Sequence, residues 1–265
     1  MTTPAARDIS LDDIRREIDG IDDAILDLMA RRIQASERVR GHKIGNGTLA
    51  SSPIRPAREA VIIRRLLERG QGGVPPELLV RLWRVILTSS TLFQAAVILH
   101  ISKKLGSQMG VRLRLRDHFG AVPVEEYRDD AQALLQVSMN SGDICAVEAG
   151  SAWADAFAEG GAGEARIIGV LPVLRTAPLP EVLIFGHAQA LATGDDETVI
   201  VSDGKLPRDF LPKPLWQLKS GSRRISSLPG FLSEHEAPLV SLMRSNAALG
   251  VKVAGRYPSP IKVSL

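Results

Sequence analysis

Two textures in one chain predict a multidomain protein, an N-terminal all-α helical bundle followed by a mixed α/β domain. The first observation is an apolar seam, Leu11, Ile14, Ile18, Ile21, Ile25 and Leu28, whose 3-4-3-4-3 spacing marks one face of a long helix packed against other helices. The second is a change after Gly106, where short strand-like runs begin to alternate with amphipathic ones. The third is length: 265 residues leave room for two modest domains.

Each element follows from local signals. Ser10 is placed to cap the first helix, with Asp12 and Asp13 in the first turn favouring its dipole. That helix runs to about residue 44, where Gly45, Asn46 and Gly47 stop it. A loop through Ser51, Ser52 and Pro53 leads to a second helix over about 56–69, ended by Gly70, Gly72 and Gly73. Pro75 and Pro76 open a third helix reaching about residue 104, with Leu79, Leu82, Ile86, Phe93 and Val97 as its apolar face. The domains are expected to be 1–104 and 105–265. In the second, strands are expected over 111–115, 143–148, 166–174, 181–185, 198–202 and 251–256, and helices over about 129–139 and 236–249. No internal repeat or long low-complexity stretch is present.

Composition narrows the class. With 45% hydrophobic and 24% charged residues this is ordinary globular material. A net charge of +3 gives no nucleic-acid footprint. One cysteine, Cys145, excludes an intramolecular disulfide and fits a reducing compartment. Residues 1–10 have no apolar core of signal-peptide length, and no run of 18 apolar residues occurs. The expectation is a soluble cytoplasmic protein without membrane or nucleic-acid partners.

The chemistry begins with a charge in the seam. After Leu28 the next seam position is Arg32, before Ala35 and Val39 resume it. A guanidinium at a core position is costly unless an anion meets it. Lys43, eleven residues and about three turns on, projects from nearly the same face. Two aligned cations in a bundle fit a pocket for a small anion; the structural alternative is an arginine paired with a core carboxylate or snorkelling out. On the third helix Ser90 and Gln94 share a face, and Arg58 and Glu59 open the second. Singly, Ser90 back-bonding to a carbonyl, Gln94 at a seam edge and Arg58 and Glu59 on a solvated turn explain these residues. Together they form a set of cations, carboxylate, amide and hydroxyl. No cysteine pair, HxxxH or glycine-rich phosphate loop accompanies it, so no metal or cofactor is expected.

The segment Ile14-Arg15-Arg16-Glu17-Ile18-Asp19-Gly20-Ile21-Asp22, the Arg31-Arg32 pair, Lys43, Pro56-Ala57-Arg58-Glu59 and Ser89-Ser90-Thr91-Leu92-Phe93-Gln94 resemble the all-helical (type II) chorismate mutases, over about residues 8–100. The resemblance implies an intertwined helical dimer that rearranges chorismate to prephenate in aromatic amino-acid (phenylalanine and tyrosine) biosynthesis. It assigns Arg15, Arg32 and Arg58 chiefly to the substrate carboxylates, Lys43 and Gln94 to the ether oxygen, Glu59 to the ring hydroxyl and Ser90 to a carboxylate. Arg55 stands where many relatives carry Asp; a backbone group near there helps hold the hydroxyl, so the change need not disable the site. Two other readings stay open. One is an isochorismate pyruvate lyase on the same scaffold, a group that lacks the hydroxyl-binding Glu. The other is a non-catalytic mutase-like subunit regulating another shikimate-pathway enzyme.

The second domain says less. Arg112, Arg114 and Arg116 alternate with leucines, as on a charged edge strand. Residues 130–148 and Gly255-Arg256-Tyr257-Pro258 are loosely similar to prephenate dehydratase and to the regulatory module attached to such enzymes. The Thr-Arg-Phe catalytic motif of the dehydratases is absent, which implies a degenerate relative without dehydration. The histidines at 42, 100, 118, 187 and 235 are scattered and take no catalytic assignment.

Helix length makes a prediction about assembly. Arg15 and Lys43 lie 28 residues apart, roughly 42 Å along one helix. No small dianion spans that, so Arg15 is expected to serve the pocket of a second chain. Arg15→Ala and Lys43→Ala homodimers should each be nearly inactive. After mixing and re-equilibration, about a quarter of wild-type site activity should return, because half the dimers are mixed and each mixed dimer holds one native pocket. Mixed dimers seen by mass spectrometry without activity would remove Arg15 from the partner's pocket.

Overall fold

The computed structural model describes residues 10–45, 53–70, 73–92, 95–175 and 177–262, with the side chains of 43–45 outside that description. Its contacts divide the chain into two compact units, Met1–Ala50 and Ser51–Leu265. That division falls earlier than the boundary expected at 104/105.

In the first unit the described residues form one helix, α1 (Leu11–Gly45). Ser10 Oγ accepts from the Asp13 N–H at 3.2 Å while Asp13 Oδ2 accepts from the Ser10 N–H at 3.2 Å, a reciprocal cap that fixes the start. The helix is continuous from Arg15 through Lys43. Its seam is exposed, from 42% at Ile14 to 62% at Leu11.

The second unit opens with α2 (Pro56–Arg69) and α3 (Pro76–Leu92). The α/β portion then runs β1 (Leu99–Ser102), α4 (Lys103–Gly106), α5 (Met109–Phe119), β2 (Val124–Tyr127), α6 (Asp130–Met139), β3 (Ile144–Glu148) and α7 (Trp153–Ala158). It continues with β4 (Arg166–Leu171), β5 (Leu174–Arg175), β6 (Val182–Gly186), β7 (Asp196–Ser202), β8 (Trp216–Ser220), β9 (Arg223–Pro229), α8 (Leu239–Ser245), β10 (Lys252–Pro258) and β11 (Ile261–Lys262). A nine-stranded mixed sheet has the order β2-β1-β3-β6-β4-β10-β7-β9-β8, and β5 pairs with β11 separately. The sheet is parallel at β2-β1-β3 and between β4 and β10, and antiparallel elsewhere.

Central strands are apolar on both faces because both are covered. On β3, Cys145 and Val147 join the cluster around Trp153, Phe157 and Phe185, while Ile144 and Ala146 join Leu99, Ile101, Leu115 and Phe119 on the other face. The β10–β4 pair approaches so closely that a side chain at Gly255 would collide with the Ile167 backbone, which requires glycine there.

Three expectations are corrected. The third helix ends at Leu92, not near 104, and β1 begins at Leu99. Leu99, His100 and Ile101 are strand residues buried on both faces at the end of an apolar run that begins at Val97, and periodicity alone does not separate such a run from helix. The face that α3 buries is Leu79, Val80, Arg84 and Leu87, with Leu82 left 48% exposed. Residues 111–115 form helix α5, not a strand: Val111, Leu115 and Phe119, spaced by four, are its buried stripe. On a helix Arg112 and Arg114 diverge, and they pair separately with Glu126 and Glu181. The strands β2, β8, β9 and β11 and the helix α7 were not expected.

One buried carboxylate ties the far sheet together. Glu197 is 1% exposed. Its Oε2 accepts from Ser227 Oγ at 2.6 Å, Tyr257 OH at 2.8 Å and Trp216 Nε1 at 3.1 Å, and its Oε1 lies 3.2 Å from Arg175 Nη1. Burial, and then the Glu197 charge, hold the Tyr257 phenol well above its ordinary value, so it remains a donor. Glu197 thereby joins β5, β7, β8, β9 and β10. Glu197→Leu strands Arg175 without a counter-charge and should cost about 3–5 kcal/mol in urea unfolding. A loss below about 1 kcal/mol would show that the network is dispensable.

Candidate active site

The functional residues expected on α2 and α3 belong to the Ser51–Leu265 unit, and that unit fixes their surroundings. Arg64 bolts α2 to the sheet: it donates to Thr193 Oγ1 at 2.8 Å, to the Asp195 carbonyl at 2.7 Å and to the Ser259 carbonyl at 3.0 Å. Ile63 on α2 packs with Val80 and Leu87 on α3, and Leu174 and Ile261 rest against them. On the other side of α3, Thr88 Oγ1 donates to the His118 carbonyl at 3.1 Å, holding α3 to α5.

Inside this frame two charges meet. Arg84 Nη1 on α3 donates to Glu59 Oε2 on α2 at 2.6 Å, with side-chain exposures of only 11% and 16%. Burial pulls the Arg84 guanidinium below its ordinary value, and the Glu59 charge and hydrogen bond pull it back. Arg84 Nε is buried with no hydrogen-bond partner. Partly buried His118 sits beside them; burial and then the Arg84 charge hold its imidazole well below the usual range, so it is neutral. Glu59 and Arg84 line a cavity of about 80 Å³ walled by Ile54, Ile63, Val97, Phe119 and Ile184. That is far below the ~300–1,000 Å³ of a typical ligand pocket.

The other expected residues fall as follows. The Arg55 carbonyl accepts the Glu59 N–H at 3.0 Å as the first turn of α2, while the Arg55 side chain is exposed and makes no cap. Arg58 is exposed on α2. Ser90 Oγ donates to the Ile86 carbonyl at 2.9 Å, the back-bonding arrangement. Gln94 lies outside the described residues, as does the Lys43 side chain, although its backbone continues α1. Also on α1, Arg15 is exposed and pairs with Asp12 at 3.3 Å. Arg32 is half-buried, and desolvation lowers its guanidinium from the ordinary value. Of the expected set, then, Glu59 is the residue that the described structure sets in a charged, walled site. Arg84 was missed. It occupies the Val80–Arg84–Leu87 stripe at 4-3 spacing, the same signal that singled out Arg32.

Among the described residues no group of His, Cys, Asp and Glu is placed to hold a metal ion, and no helix is long and apolar enough to cross a membrane.

Residues 14–95 match the family model described as chorismate mutase type II. A bifunctional chorismate mutase/prephenate dehydratase of Stutzerimonas stutzeri is 28% identical over 144 residues, covering 44% of this chain and 40% of that protein. The chain thus spans about two fifths of the length of this relative. Two solved structures are distantly similar. One, described as GqqA, a novel type of quorum quenching acylase, has a TM-score of 0.40 at 11% identity, over 61% of this chain and 95% of that one. The other is a prephenate dehydratase from Streptococcus mutans, with a TM-score of 0.38 at 9% identity, over 64% of this chain and 100% of that one.

Proposed function

We propose that this chain is a chorismate mutase, converting chorismate to prephenate in aromatic amino-acid biosynthesis. One observation carries the reading: the interval matched by the chorismate mutase type II family, residues 14–95, contains the entire expected set of Arg15, Arg32, Lys43, Arg55, Arg58, Glu59, Ser90 and Gln94.

These residue types suit the reaction. In the rearrangement the ether C–O bond breaks ahead of C–C bond formation, so negative charge builds on the ether oxygen. Fixed donors there, Lys43 and Gln94, bind the transition state better than the substrate. Arg15, Arg32 and Arg58 grip the two carboxylates and hold the side chain over the ring, with Ser90 assisting, so the loss of freedom is met on binding. Glu59 accepts the ring hydroxyl. No nucleophile, proton relay or cofactor enters the reaction.

The unit is a homodimer. The continuous α1 separates Arg15 from Lys43 by more than one substrate length, and its exposed apolar seam exceeds what a lone surface helix carries. Glu59 weighs against the pyruvate-lyase alternative, because the carboxylate is present and charge-paired.

Lys43→Ala should keep its fold and lose turnover by about two orders of magnitude or more, the effect of removing one preorganised donor to developing charge. A near-native rate would take Lys43 out of the ether-oxygen role. The α/β portion is assigned no dehydration, since the Thr-Arg-Phe motif is absent. Incubation with prephenate at neutral pH should therefore yield no enzyme-dependent phenylpyruvate. Its appearance would reveal a divergent dehydratase site.

A further inference from the structure

We propose that Arg84 is a positioning residue for Glu59, fixing one carboxylate oxygen and leaving the other to accept a hydrogen bond from the ring hydroxyl of the substrate. This rests on the mutase reading above and adds to it a residue outside the expected pocket set.

The geometry points this way. Arg84 reaches from α3 to α2 with a single contact, Nη1 to Oε2, where a guanidinium is able to grip both oxygens. Among the described residues Oε1 accepts no hydrogen bond. A carboxylate in a cavity walled by Ile54, Ile63 and Val97 is costly to bury without a partner, and Arg84 supplies one through a single oxygen. The surrounding cations are committed elsewhere: Arg64 to Asp195 at 3.7 Å, Arg81 to Asp117 at 3.1 Å and Arg114 to Glu181. His118 is neutral. Arg84 is therefore the cation that meets Glu59, and it stands on the buried face of α3 with Val80 and Leu87.

The test compares kcat/KM for chorismate and for the analogue in which hydrogen replaces the ring hydroxyl. Wild type should prefer chorismate by about tenfold or more, the effect of one hydrogen bond to a charged group. In Arg84→Gln that preference should collapse toward one, whatever the absolute rates, and Arg84→Lys should restore part of it. A merely structural arginine would lower both substrates equally and leave the ratio unchanged, which would overturn the proposal. Should Arg84→Gln fail to fold, Arg84→Lys carries the test: it keeps the charge but not the guanidinium geometry, so the preference should fall below the wild-type ratio, and an unchanged ratio would overturn the proposal. A wild-type chain inactive on chorismate sinks the mutase reading and this inference with it. An active wild type whose preference survives Arg84→Gln sinks the role of Arg84 alone.

Discussion

A charge removed from water must be met by another charge or by enough hydrogen bonds, and this constraint organises the Ser51–Leu265 unit at two points. At Glu197 three donors and one arginine surround a carboxylate that solvent hardly reaches, so five strands share one anchor. At Glu59 the same requirement is met by one arginine through one contact. The two solutions differ in what they leave over. Glu197 has both oxygens committed, as suits a structural anchor. Glu59 keeps acceptor capacity on its second oxygen.

The frame around Glu59 connects the helices to the sheet. Arg64 fixes α2 to the loop before β7 and the end of β10, and Thr88 fixes α3 to α5. Leu174 and Ile261, from the small two-stranded sheet, pack on the helix pair. The α/β portion thus buttresses α2 and α3 whatever else it does. By contacts these helices belong with the sheet, although they are contiguous in sequence with the rest of the mutase-like segment.

Legibility in the sequence tracked how directly a physical signal is written in the chain. The start of α1 was readable because Ser10 and Asp13 cap it within one turn. The strands β3, β4, β6, β7 and β10 were readable as bounded apolar runs. The arginine-leucine alternation of 111–115 misled, because exposed Leu113 hid the fourfold stripe of Val111, Leu115 and Phe119. The strands β8 and β9, with Lys219, Arg223 and Arg224 among their residues, lack an apolar run because only part of each is buried. In the candidate site the residue types followed from family resemblance and from seam logic, and Arg84 was legible by that same logic. Its pairing with Glu59 was not, since it depends on how α2 and α3 cross, which neither helix pattern specifies.

The most direct test of the mutase assignment is a one-dimensional proton NMR time course of chorismate with the purified chain. Prephenate signals should replace chorismate signals one for one, faster than without protein and with no pyruvate. Release of pyruvate, or chorismate lost no faster than in buffer, would contradict it.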